Sequence, residues 1–118
     1  MATVLIVDDD PEIRDALADA LEGRGYNVAV AGDGAEALAW LRKSAAPCLI
    51  VLDLMMPTMD GYEFINQQKL DPALADIPVV VITAGRHPNP PKVLEVAEVL
   101  HKPLARDRFM SVVQQHCG

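Results

Sequence analysis

The chain has 118 residues, of which 51% are hydrophobic, and this is enough to form the buried core of one domain spanning residues 1–118. Its net charge of −7 argues against direct binding to nucleic acid or to an anionic membrane surface. No apolar run approaches the roughly 20 residues that span a bilayer, which excludes an ordinary membrane helix.

The first predicted element is a strand over residues 2–7. A β-branched apolar run without polar alternation indicates a strand buried on both faces. Pro11 then begins a helix with Asp10 able to cap it, because proline is favoured in the first turn and aspartate just before it. Gly23 and Gly25 end this helix.

The same strand–helix unit repeats along the chain. Further buried strands are predicted at residues 26–31, 48–53 and 78–83. A helix begins at residues 33–34, and another follows a loop over residues 55–61.

The pattern weakens after three prolines in residues 86–91. Proline inside a helix costs about 3 kcal/mol, so we expect the fourth helix to be short or missing. Residues 93–99 predict a short helix running into a fifth strand that ends near His101, and residues 104–115 predict the last helix.

Apolar strands alternating with helices are typical of an α/β fold with a doubly wound parallel sheet and helices on both faces. Five such units predict a flavodoxin-like sandwich. The strand order 2-1-3-4-5 is taken from analogy with that fold.

Polar residues lie at the ends of four of the predicted strands: Asp8 and Asp9 at the first, Asp53 at the third, Thr83 at the fourth and Lys102 at the fifth. The carboxyl ends of parallel strands share one edge of the sheet, so we expect these side chains to converge. Clustered carboxylates repel one another unless a cation lies between them, and oxygen ligands favour Mg²⁺. A hydroxyl and an ammonium group suit phosphoryl oxygens, so the cluster predicts phosphoryl transfer to an aspartate.

Four motifs carry a family resemblance: VLIVDDD at residues 4–10, LDLMMPTMDG at 52–61, VITA at 81–84 and KP at 102–103. Together they resemble the receiver domains of two-component response regulators, the superfamily of CheY, along the whole chain. The resemblance implies a phosphorylation-activated signalling switch rather than an enzyme, although the domain would catalyse its own phosphoryl transfer and slow dephosphorylation.

The resemblance also implies a role for each matching position. Asp53 would accept the phosphoryl group. Asp9, Asp53 and the Met55 backbone carbonyl would bind Mg²⁺ (or Mn²⁺), with Asp8 acting through water. Thr83, Lys102 and the Ala84 backbone N–H would bind the phosphoryl group, and the peptide bond before Pro103 would be cis. The donor would be a sensor histidine kinase or a histidine phosphotransfer protein. The output would pass through contacts with an unidentified protein, from a monomer or weak dimer.

Two features depart from the family pattern, and both concern output. Val99 occupies a position that is often aromatic in the family, and its branched side chain cannot make the swing of an aromatic ring. The segment from Thr83 to Lys102 is also about one helical turn short. These departures favour an output face built for an unusual partner, or a variable surface loop.

Alternative functions remain at this point. A phosphohydrolase with an aspartate nucleophile would need a second aspartate at position 55, which is Met55. The chain is interpreted as a stand-alone regulator, with a receiver cut from a longer hybrid kinase or transcription factor as the alternative. A receiver-like module with phosphate-insensitive output is the third possibility.

Cys48 and Cys117 are too few for a disulfide framework or a four-ligand zinc site. Since the N-terminus also lacks a secretory signal, we expect free thiols in the reducing cytoplasm.

Overall fold

A computed structural model describes residues 2–54, 56, 59–84 and 96–118. Strands and helices alternate in the order β1 (Thr3–Val7), α1 (Pro11–Glu22), β2 (Asn27–Ala31), α2 (Gly34–Lys43), β3 (Leu49–Asp53), α3 (Gly61–Leu70), β4 (Val79–Thr83), β5 (Glu98–His101) and α4 (Arg106–Cys117). The predicted short or missing fourth helix falls within residues 85–95, outside the described residues. The last helix is α4, which begins two residues later than predicted.

The five strands form one parallel sheet in the order β2-β1-β3-β4-β5. This confirms the predicted doubly wound fold and its strand order. None of the helices in the described ranges combines the length and apolar character that crossing a bilayer requires.

The core lies on both faces of this sheet, which explains why the strands are apolar without alternation. Leu5, Ile50 and Val81 pack in the cluster that includes α2 and α3 residues, whereas Val4, Val51 and Ile82 pack in the cluster that includes α1 and α4 residues. Successive strand residues point to opposite faces, so each strand contributes to both clusters.

Aspartates begin three of the four described helices. The side chains of Asp10, Asp33 and Asp60 accept hydrogen bonds of 2.8–2.9 Å from backbone amides in the first turns of α1, α2 and α3. These caps satisfy amides that have no partner within the helix. The acidic residues that precede helices in this sequence therefore divide between capping and the site described below.

The two cysteines form a disulfide bond, so the expectation of free thiols was wrong. Cys48 directly precedes β3 and Cys117 ends α4; their Cα atoms are 5.4 Å apart despite a sequence separation of 69. Packing of α4 across the sheet brings the end of this helix to the beginning of β3. Neither local sequence nor cysteine number signals this proximity.

Gly61 begins α3 where the chain returns against the end of β3. Its N–H donates a 2.9 Å hydrogen bond to the Leu54 carbonyl. A Cβ atom at this position would lie 2.6 Å from the Leu54 Cα atom and 3.0 Å from the Asp53 carbonyl oxygen. Only glycine allows this approach of α3 to the residues around Asp53.

We therefore expect Gly61→Ala to lower the free energy of unfolding by about 1–3 kcal/mol, as overpacking does. Urea unfolding followed by circular dichroism measures this change. Gly23→Ala is the matched control, because a Cβ atom at Gly23 would have the Asp19 carbonyl oxygen at 3.3 Å as its nearest neighbour and the φ of −62° is ordinary helical backbone. Equal losses in the two variants would contradict the steric account.

Candidate functional site

The polar strand ends meet at the carboxyl edge of the sheet. Asp8 and Asp9 follow β1, Asp53 ends β3, Thr83 ends β4 and Lys102 follows β5. β1, β3, β4 and β5 are consecutive neighbours in the sheet, so its parallel register aligns these ends.

Three carboxylates form the acidic part of this edge. Asp8, Asp9 and Asp53 each offer one oxygen, and these oxygens lie within 4.8 Å of one another. Asp8 is 2% exposed and Asp53 is 5% exposed, whereas Asp9 is open to solvent. Two buried carboxylates and one exposed carboxylate form an all-oxygen donor set of the kind that hard divalent cations prefer.

Lys102 bridges the two buried carboxylates. Its Nζ atom lies 3.5 Å from Asp53 Oδ2 and 3.6 Å from Asp8 Oδ2. This ammonium group offsets part of the negative charge that the fold brings together. Lys102 is itself positioned by its backbone N–H, which donates a 2.8 Å hydrogen bond to the Thr83 carbonyl.

The pKa of the Asp8 carboxyl is raised above its usual value. Burial raises its pKa, and the charges of Asp53 and Asp9 raise it further, while the hydrogen bond from the Asp10 amide and the ammonium of Lys102 lower it; the net direction is upward. The Asp10 N–H donates to Asp8 Oδ1 at 2.9 Å, whereas buried Asp8 Oδ2 accepts no hydrogen bond from the described residues. A buried carboxylate oxygen that accepts no hydrogen bond is well suited to be a ligand of a cation.

Thr83 contributes a buried hydroxyl. Its side chain is fully buried, and its Oγ1 atom has no hydrogen-bond partner within the described part of the chain. A buried polar group without a partner carries a desolvation cost, which is usually explained by function or by an unseen ligand. Ala84, the next residue, is exposed to solvent.

Three predicted positions remain, and the structure describes two of them. The Lys102–Pro103 peptide bond is cis. Val99 is half-buried in β5 and packs against the cluster that includes α2 and α3 residues. The Met55 carbonyl, predicted as a metal ligand, lies outside the described residues.

Arg14 is a neighbour of the site that the sequence reasoning missed. Its Nη1 atom donates a hydrogen bond of 3.3 Å to the Asp8 carbonyl oxygen, from the first turns of α1. Helical side chains point back towards the N-terminus of their helix. A basic residue one turn after the Asp10 cap therefore offered a signal that it reaches the acidic loop.

Asp8→Asn removes a buried like charge, so we expect it to stabilise the cation-free protein by about 1 kcal/mol at pH 7. A raised pKa in the folded state means that ionised Asp8 disfavours folding above that pKa, and this penalty disappears once the carboxyl is protonated. The gain should therefore vanish in acid, near the unfolded value of about 3.9. Urea unfolding in a chelator at several pH values measures it.

Asp9→Asn is the control for this experiment, because Asp9 is exposed and its neutralisation should change stability by less than about 0.5 kcal/mol. A cation-free Asp8→Asn protein that is less stable than the parent at pH 7 would show that burial and repulsion together do not disfavour the charge of Asp8.

Known proteins are similar to this chain in sequence and in fold. Residues 4–114 match the family model of the response regulator receiver domain. Over 84 residues the chain is 44% identical to the DNA-binding dual master transcriptional regulator RpaA of Synechocystis sp., covering 71% of this chain and 34% of RpaA. An uncharacterized 14.6 kDa protein in the sodA1 3′ region of Leptolyngbya boryana is 37% identical over 117 residues, covering 97% of this chain and 88% of that protein.

Solved structures show the same similarity. The chemotaxis protein CheY4 of Vibrio cholerae superposes with a TM-score of 0.88 at 32% identity, with 98% of each chain covered. The chain spans about a third of RpaA, so the similarity to that regulator concerns a part of it. On its sequence, its sheet order and the acidic edge beside Lys102, this chain belongs to the response regulator receiver domain family of two-component signalling systems.

Proposed function

We propose that this receiver domain is a phosphorylation-activated switch that accepts a phosphoryl group on Asp53 from a phosphohistidine donor. The observation that carries the proposal is the position of the Asp53 carboxylate. It is buried, it lies beside the Asp8 and Asp9 oxygens, and its Oδ2 atom is 3.5 Å from the Lys102 ammonium.

The proposed transfer forms one bond and breaks one bond. A carboxylate oxygen of Asp53 attacks the phosphorus of the phosphohistidine, and the phosphorus–nitrogen bond breaks. The imidazole nitrogen keeps the electron pair and takes a proton from solvent or from the donor protein. Positioning and charge neutralisation are the main contributions that a protein makes to such a transfer, and the domain supplies both at its sheet edge.

The acidic residues fit a divalent cation. We propose that Asp8, Asp9 and Asp53 hold Mg²⁺, or Mn²⁺ in its place, with the Met55 carbonyl as a further ligand. The buried Asp8 oxygen without a hydrogen-bond partner among the described residues supports this assignment. When bound, the ion would neutralise charge on the phosphoryl oxygens.

The other side of the phosphoryl group would meet hydrogen-bond donors. The Thr83 hydroxyl, which is buried without a partner in the described part of the chain, would donate to a phosphoryl oxygen. The backbone N–H of Ala84 and the ammonium of Lys102 would contact the other oxygens. Phosphorylation would therefore satisfy Thr83, and the phosphoryl oxygens would replace the Asp53 carboxylate as a negative partner of Lys102.

Membership of the family supports a proposal about partners and location. We propose a sensor histidine kinase or a histidine phosphotransfer protein as the donor, a cytoplasmic location, and output through protein contacts of residues 1–118 folded as one domain. Val99 in β5 has no aromatic ring that could swing inward on phosphorylation, so the output mechanism would differ from that of family members with an aromatic residue at this position.

A second candidate arises from the length of the relatives. RpaA is described as DNA-binding, and this chain matches 34% of it. The same phosphoaccepting domain would then regulate a separate output region of a longer protein. The site chemistry is identical in the two cases.

Incubation with acetyl phosphate and Mg²⁺ should add one phosphoryl group, because the site needs only a reactive donor and charge neutralisation. Intact mass spectrometry detects the adduct. The adduct should be absent from Asp53→Asn and after chelation. It should be present in the control Asp33→Asn, because Asp33 caps α2 and asparagine caps a helix equally well. No adduct at saturating donor would indicate a phosphate-insensitive module.

Thr83→Ala should slow phosphorylation roughly tenfold or more, since a hydrogen bond to a charged group is lost. Mg²⁺ affinity should not change, because the carboxylates remain. Thr83→Ser keeps the hydroxyl and is the matched control. Quench-flow measurement of phosphoprotein against time tests this prediction, and an unchanged rate for Thr83→Ala would contradict the role of Thr83.

A further inference from the structure

The Cys48–Cys117 disulfide lies at the opposite end of the molecule from the phosphorylation site. Cys48 precedes the first residue of β3, and Asp53 is the last residue of that strand. Asp53 is thus five residue steps along extended chain from Cys48, which is about 17 Å. Reaction of these cysteines therefore need not disturb the carboxylates.

The disulfide completes a two-ended connection between the β3 and α4 segments. At one end, Lys102, four residues before α4, pairs with Asp53; at the other, Cys117 at the end of α4 is bonded to Cys48. Both cysteines are half-buried and pack against the cluster that includes α1 and α4 residues. Only the connection at the cysteine end is covalent.

The last turn of α4 lies beyond the buried residues of this helix. The buried residues of α4 end at Val113, and Gln114 and Gln115 are exposed. Beyond Val113, the end of the chain is held by the packing of Cys117, by a 2.9 Å hydrogen bond from the Gly118 amide to the Gln114 carbonyl and by a 3.0 Å hydrogen bond from the Tyr26 hydroxyl to the Gly118 carbonyl. Chain ends held by so few contacts fray readily.

We propose that Cys48 and Cys117 form a reversible thiol–disulfide site, whose oxidation anchors the last turn of α4 to β3 and whose reduction releases that turn. Cys117 lies at the carboxyl end of a helix, where the helix dipole disfavours a thiolate. Reactive cysteines of disulfide oxidoreductases are activated by the opposite helix end. The pair therefore has a conformational role, in which it fixes the last turn of α4 to β3, rather than the role of a catalytic dithiol.

The chemistry is a balanced exchange with a low-molecular-weight disulfide. One protein thiolate attacks a sulfur of the small disulfide and expels a small thiolate. The second protein thiolate then attacks the protein sulfur of the mixed disulfide and expels the other small thiolate. Two protein thiols are oxidised, one small disulfide is reduced to two thiols, and the protons pass to the released thiolates. A dithiol reductant reverses the reaction.

The test uses the full chain equilibrated with mixtures of reduced and oxidised glutathione. After acid quenching and alkylation, intact mass should show only two major species, one with both cysteines alkylated and one with neither, exchanging reversibly as the mixture changes. Three results would overturn the proposal. Excess dithiothreitol would fail to reduce the disulfide in native protein, the main product would be a mixed disulfide with glutathione, or the disulfide would join two chains.

Hydrogen exchange in the oxidised and reduced protein tests the structural consequence. Reduction should speed exchange of amides 115–118 by about tenfold or more and leave β1 and β3 amides nearly unchanged, because only the helix end is released. Cys48→Ser and Cys117→Ser should both match the reduced parent and ignore dithiothreitol. Equal exchange at 115–118 in the two redox states would overturn the anchoring role, whatever the thiol titration shows.

Discussion

The parallel sheet brings like charges together, and the rest of the site answers that repulsion. Because β1, β3, β4 and β5 run in one direction, the carboxylates of Asp8, Asp9 and Asp53 meet at the same edge. Burial of Asp8 and Asp53 increases the cost of their charge. Lys102 offsets part of it, while burial, followed by the charges of Asp53 and Asp9, keeps the pKa of Asp8 above its usual value.

The cost of burying these polar groups links the stability of the domain to its function. The domain tolerates a buried Asp8 oxygen and a buried Thr83 hydroxyl that have no hydrogen-bond partner among the described residues, two features that a purely structural sheet edge would lose at little cost. A cation and a phosphoryl group would supply the partners that both lack among the described residues. The polar groups that cost stability in the unmodified domain are thus the groups that would recognise the modification.

Much of this architecture was predictable because it depends on local patterns. The apolar runs at residues 48–53 and 78–83 predicted β3 and β4 to within one residue, since strands buried on both faces leave a continuous signal. The convergence of Asp53 with Lys102 followed from the parallel direction of the strands. The roles of the individual site residues came from family resemblance, and the structure supplies their distances. The disulfide was not predictable, because it joins residues 69 apart through the packing of α4.

The central claim is that Asp53, rather than another carboxylate of the same cluster, accepts the phosphoryl group. Borohydride reduces an aspartyl phosphate to homoserine, which marks the modified position permanently. Peptide mass spectrometry of phosphorylated and reduced protein should find homoserine at position 53, with Asp8 and Asp9 intact. Homoserine at position 8 or 9, with Asp53 unmodified, would contradict the account.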